Sequence, residues 1–110
     1  MGISTHILDT TRGRPASGVD VTLERQEGGR WSELGRGTTD ADGRVKALLS
    51  ESPQPGVYRI TFQVGAYFRA QSVESFYPEV AIAFEVRRAG EHFHVPLLLN
   101  PFGFTTYRGS

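Results

Sequence analysis

Across residues 57–64 the chain places Tyr58, Ile60, Phe62 and Val64 at every second position, and this period-two recurrence limits its folds more than any other feature. Successive side chains of a strand point to opposite faces, so the spacing predicts a strand with one buried side. The pattern recurs along the chain. In residues 3–8, Ile3, Thr5 and Ile7 oppose Ser4, His6 and Leu8, and Val19, Val21 and Leu23 then alternate with Asp20, Thr22 and Glu24. Residues 31–38 read as a strand weakened by Gly35 and Gly37, and residues 44–48 as a short one headed by Arg44. Val80, Ile82, Phe84 and Val86 repeat the alternation. In the closing stretch, residues 92–100, Phe93, Val95, Leu97 and Leu99 take the core face, opposite His92, His94, Pro96 and Leu98. Pro96 removes one ladder donor, which argues for an edge position or an outward-pointing amide there.

Between these runs stand turn signals: the Gly- and Pro-containing loop at 9–18, Gly28-Gly29, Asp40-Ala41-Asp42-Gly43, the loop at 50–56 and Gly90. Helical spacing occurs only between 65 and 74, at Tyr67, Phe68, Ala70 and Gln71, a segment too short to stand without packing on a sheet. Seven or eight short strands with such turns predict an all-β, antiparallel sandwich with one short helix. A chain of 110 residues suits one domain, residues 1–110, able to bury roughly 65% of its unfolded surface.

Charge narrows the functions. Twelve basic and twelve acidic residues give zero net charge, which argues against nucleic acid and anionic membranes as partners. No run approaches the roughly 18 apolar residues of a membrane span, and residues 1–9 lack a leader pattern, so the expectation is a cytoplasmic protein. Without cysteine there is no disulfide, thiolate nucleophile or thiolate metal site. All the basic residues are arginine except Lys46.

The residues left to carry chemistry are His6, Arg44, His92, His94 and the terminal Tyr107, Arg108, Gly109 and Ser110, which follow a strand directly instead of trailing off as a loose tail. Taken singly, a histidine on the polar side of a strand is by default solvated or structurally hydrogen-bonded. His92 and His94 share a strand face, as a metal pair does, yet no third ligand has recognisable spacing. Asp40 and Asp42 are turn formers, since the rest of a calcium loop is missing. A phosphate loop and a nucleophile elbow are also absent.

Taken together, Thr5-His6-Ile7-Leu8-Asp9, Arg12-Gly13-Arg14-Pro15-Ala16, Asp42-Gly43-Arg44, His92-Phe93-His94-Val95-Pro96-Leu97-Leu98-Leu99, and Asn100-Pro101-Phe102-Gly103-Phe104 running on to Tyr107-Arg108-Gly109-Ser110 resemble the transthyretin-like 5-hydroxyisourate hydrolase family across the whole chain. Phe93 and Phe104 stand where that family often has Tyr, and Asn100 where it often has Ser. The resemblance implies a sandwich of two four-stranded sheets and a homotetramer, a dimer of dimers, with sites at the dimer–dimer interface. It also implies metal- and cofactor-independent hydrolysis of 5-hydroxyisourate to 2-oxo-4-hydroxy-4-carboxy-5-ureidoimidazoline in urate degradation. His6, Arg44, His94 and Ser110 would be catalytic, and His92, Pro96, Tyr107, Arg108 and Gly109 substrate-binding. His6 or His94 would take a proton from water, with His6 the favoured base and the other histidine orienting water or donating a proton. Arg44 would hold the planar ring and its developing oxyanion. Ser110, through its hydroxyl and terminal carboxylate, would fix the substrate or orient a histidine, with Tyr107 and Arg108 anchoring the tail. Two alternatives remain: a transthyretin-like small-ligand carrier without turnover, and a plain structural sandwich.

Overall fold

Alternating side chains become two facing sheets in the computed structural model, which describes residues 2–110; residue 1 of the expected domain lies outside them. Among the described residues the elements are β1 (Ile3–Asp9), β2 (Arg14–Pro15), β3 (Asp20–Glu27), β4 (Arg30–Thr38), β5 (Arg44–Leu49), β6 (Gly56–Phe62), α1 (Val64–Arg69), β7 (Val80–Val86), β8 (Phe93–Asn100) and β9 (Gly103–Thr106). One sheet is four-stranded, in the order β4-β3-β6-β7. The other runs β2-β1-β8-β9, and β5 also pairs with β1, making five strands.

The inner faces are those the alternation predicts. Ile3, Ile7, Val21, Leu23, Tyr58, Ile60, Phe62, Leu97 and Leu99 are all at most 1% exposed. Each such apolar side chain contributes about 1.5–3 kcal/mol on burial, so one interior formed by both sheets dominates the fold's stability. Tyr58 keeps its polar end satisfied by donating its hydroxyl to the Gln54 carbonyl at 2.6 Å.

Four details differ from the expectation. The sheet that carries the candidate residues has a fifth member, because the two-residue β2 folds back on the end of β1 through Leu8↔Pro15 and Asp9↔Arg14. Within an otherwise antiparallel sandwich, β1 and β8 run parallel over seven register pairs, from Ile3↔Phe93 to Asp9↔Leu99. Val64, expected to end a strand, starts the helix: α1 has six residues, with Val64 and Phe68 buried, and the Tyr67 hydroxyl donates to the buried Asp9 carboxylate at 2.8 Å. Finally, β8 is not an edge. β9 pairs with it from Leu97↔Thr106 to Asn100↔Gly103, and Gly109 then bridges His94, its amide donating to the His94 carbonyl at 2.8 Å. Pro96 sits between these two attachments, where its missing N–H leaves no orphan, and its carbonyl accepts the Thr106 hydroxyl at 2.8 Å. Among the described residues no helix is long and apolar enough to cross a membrane.

Candidate functional site

Three strands bring the candidate residues onto the outer face of the five-stranded sheet. His6 stands opposite Arg44 across the antiparallel β1–β5 pair and opposite Pro96 across the parallel β1–β8 pair; one step along, Ser4 stands opposite His94. Side chains alternate along a strand, so Ser4 and His6 of β1, Arg44 and Lys46 of β5, and His94 and Pro96 of β8 all point away from the core. The β8–Gly109 bridge adds the tail as the far wall.

Each strand is positioned locally. Arg44 leaves a turn in which the Asp40 carboxylate accepts the amides of Asp42 at 2.9 Å and Arg44 at 3.0 Å. These bonds, the Arg44 amide foremost, hold the Asp40 carboxyl below the usual carboxylate range. Gly43 closes the turn at φ +74°, a left-handed conformation, and its carbonyl accepts the Ile7 amide at 2.8 Å, tying the turn to the strand that bears His6.

A depression of about 240 Å³ is lined by Ser4, Arg44, Lys46, His92, His94 and Ser110, together with Thr5. His6 lines an adjoining depression with Pro15, Asp42, Arg44 and Lys46, so the two cations form a wall common to both. The His6 and His94 rings stack with centroids 6.5 Å apart and planes 29° from parallel. Ser4 Oγ lies between the other two histidines, 2.9 Å from His92 Nε2 and 2.8 Å from His94 Nδ1. Burial foremost, reinforced by the charge that His6, Arg44 and His92 can carry beside it, pushes the His94 imidazole below its ordinary pKa, so it stays neutral and able to accept a proton near neutral pH. Among the described residues no group of three or more His, Asp or Glu is placed to hold a metal ion.

The tail divides in two. Gly109 and Ser110 come to the histidines, and Gly109 lies so close that a Cβ there would meet His94 Cδ2 at 2.6 Å. Arg108 points the other way, donating to Glu91 at 2.9 Å with its guanidinium 4.5 Å over the Phe93 ring, and the Tyr107 ring, 57% exposed, lines another depression, with Phe84 and Phe93, that shares only His94 with the first. Thus His6, Arg44, His92, His94, Pro96, Gly109 and Ser110 assemble on one face, whereas Tyr107 and Arg108 hold the far side of the tail. Two members of the site escape the sequence reading, Ser4 and Lys46. Both had a signal: Ser4 shares the alternation face of His6, and Lys46, the only lysine in the chain, shares that of Arg44.

Comparison with known proteins gives the same frame. Residues 3–109 match the model of the HIUase/Transthyretin family. The chain is 47% identical over 109 residues to a 5-hydroxyisourate hydrolase of Salmonella dublin, covering 98% of this chain and 80% of that one. It superposes on the structure of Klebsiella pneumoniae 5-hydroxyisourate hydrolase with a TM-score of 0.88, at 40% identity over the full length of both chains. Sea bream transthyretin in complex with thyroxine superposes equally well, with a TM-score of 0.92, but at 30% identity, covering 99% of this chain and 95% of that one. The backbone therefore suits a hydrolase and a thyroxine-binding protein alike, and discrimination falls to the side chains.

Proposed function

The chain belongs to the HIUase/Transthyretin family, and from that premise we propose that it hydrolyses 5-hydroxyisourate to 2-oxo-4-hydroxy-4-carboxy-5-ureidoimidazoline in urate degradation, using the residues on the outer face of its five-stranded sheet. The observation that carries this reading is the convergence of a neutral histidine, His94, with Arg44, Lys46 and Ser110 around one small depression, and with His6 stacked beside it.

Ring opening by water needs a base for the water proton and positive charge where the attacked carbonyl becomes an oxyanion. Arg44 presents a planar fork of donors suited to the ring and to the oxyanion that develops on it. Lys46 adds a second cation on the same wall, and no carboxylate side chain lines that depression. His6 and His94 divide the proton work. Of the two, His94 is the better candidate for the base, because burial, with Arg44 nearby, holds its pKa down, leaving His6 to orient water or return a proton to the opened ring. Ser110 closes the depression, held there by the Gly109–His94 bridge, while Arg108 clamps the tail through Glu91 and Phe93.

The site faces out of the sheet and is open on that side. A row of half-buried apolar side chains, Leu8 against Leu98, flanks the His6–Pro96 pair, and a second copy laid on this face would wall the depression. A homotetramer with sites between its dimers fits this arrangement.

Freshly generated 5-hydroxyisourate tests the reading directly. Its ultraviolet absorbance is expected to decay catalytically, well above the spontaneous rate and in proportion to enzyme. Stoichiometric uptake without turnover would instead mark a carrier, and no effect a structural sandwich.

A further inference from the structure

On the candidate face one hydroxyl joins two of the histidines. Ser4 is a buried hydroxyl, 8% exposed, held on β1 between Nε2 of His92 and Nδ1 of His94. A serine hydroxyl carries one proton, so with both contacts at hydrogen-bond distance it donates to one histidine and accepts from the other. Only two arrangements satisfy both. In the first, His94 Nδ1–H donates to Ser4 Oγ, which donates to His92 Nε2. In the second both bonds are reversed, and the His94 proton moves to Nε2.

The surroundings choose between them. The Nδ1 edge of His94 faces Ser4 and its Cδ2 edge faces Gly109, so Nε2 lies on the side of the ring away from Ser4, with no protein partner among the described residues. Arg44 and Lys46 line the same depression; Ser110, with the terminal carboxylate, lines it too but makes no hydrogen bond to the His94 ring among the described residues. A lone pair on Nε2 is stabilised by those cations, whereas an N–H there would set a positive hydrogen against them. At the other end of the chain of bonds, exposed His92 can hold its proton on Nδ1 in contact with water and offer Nε2 as acceptor.

We infer that Ser4 is a positioning residue that fixes the His94 tautomer, through a one-directional relay from His94 Nδ1–H to Ser4 Oγ–H to His92 Nε2, so that His94 presents a bare Nε2 to the depression. The inference rests on the proposed function for its consequence, since a bare Nε2 is what a general base needs. His92 thereby acquires a part in the site without touching substrate: it is the terminal acceptor that makes the relay run one way. The hydroxyl is the essential group, and threonine supplies it as well as serine.

The relay is tested with ¹⁵N-labelled protein at about pH 8, above the ordinary imidazole range. In the wild type, His94 is expected to show a protonated, pyrrole-like Nδ1 and a pyridine-like Nε2. Ser4→Ala should lose that pattern in favour of the Nε2–H form and lower kcat by about 10-fold, less than the roughly 100-fold expected for loss of the base itself, with a smaller change in KM. Ser4→Thr should restore both. His92→Ala provides a second route: without its acceptor the Ser4 hydroxyl can turn and donate to His94 Nδ1, producing the same spectral change. A pyridine-like Nδ1 in wild-type His94 overturns the relay, as does a Ser4→Ala protein with unaltered tautomer and rate. A wild type with the expected tautomer and no hydrolase activity overturns the functional reading and leaves the relay standing, so the two failures are distinguishable.

Discussion

Among single residues, Arg44 and the histidines carry the most testable consequences. Arg44→Ala and His94→Ala should each reduce turnover by at least about 100-fold in the absorbance assay, with folded protein shown by unchanged circular dichroism. His6→Ala belongs in the same series; near-normal turnover would remove His6 from the mechanism. Arg44→Lys should not rescue, because an ammonium keeps the charge but loses the planar fork. For pH the sign follows from burial. The folded-state pKa of His94 lies below the ordinary value of about 6.5, so the unfolded chain takes up the proton first, and stability is lost as pH falls through that value towards the folded one. Activity should persist on the acid side past the pH at which a free imidazole would be half-protonated. A rate profile that drops with an ordinary or raised histidine pKa would rule out His94 as base. At this scale much was legible: His6, Arg44, His92 and His94 were visible as polar residues on alternating faces. The face of Ser4 was legible too, but its role was not, because a serine among strand residues carries no chemical signature until two histidines lie within 3 Å of it.

Two close approaches between backbone and neighbours govern the elements. Gly109 packs against the rings of His94 and Pro96, with Pro96 Cγ 3.1 Å from where a Cβ would be. Gly109→Ala should push the tail away from β8, lengthen the Gly109–His94 backbone bond, and lower turnover more than stability; hydrogen exchange at the Gly109 amide measures the first effect. Gly43→Ala acts on the other wall. Its φ of +74° and the Ile7 carbonyl 2.5 Å from a would-be Cβ leave no room, so the turn before β5 must rearrange at a cost of about 1–3 kcal/mol, displacing Arg44 as well. A fall in the urea midpoint together with a fall in turnover is expected; a stability loss with full activity would uncouple the turn from the site. The longer strands could be read from sequence because each has four or more alternating positions. β2 and β9 could not, because two or four residues give no period, and both exist only where a neighbouring strand supplies hydrogen bonds.

The molecule as a whole presents a site open to one side. If a second copy provides the missing wall, light scattering should report about four times the 12.1 kDa chain mass, and dilution that dissociates the particle should lower activity faster than it lowers protein concentration. A monomer with full turnover would refute the interface reading.

At this scale the division between pattern and structure is sharpest. Period-two alternation by itself marked the apolar face of the longer strands, hence the two-sheet core and the outward set His6, His92, His94 and Pro96, because polarity is a property each side chain carries with it; in β5, where Leu48 is buried on the parity of Arg44, it did not. Tertiary structure decided who stands beside whom. The parallel pairing of β1 with β8, across some 90 positions, sets Ser4 against His94 and His6 against Pro96. The β1–β5 register sets His6 against Arg44, and the Gly109 bridge turns the tail back onto His94 while sending Tyr107 and Arg108 to the other side. For strands this far apart in sequence, direction and register are made by hydrogen bonds between distant backbone segments with no connecting turn to set them, and alternation is the same whichever way a strand runs, so no local pattern encodes these pairings.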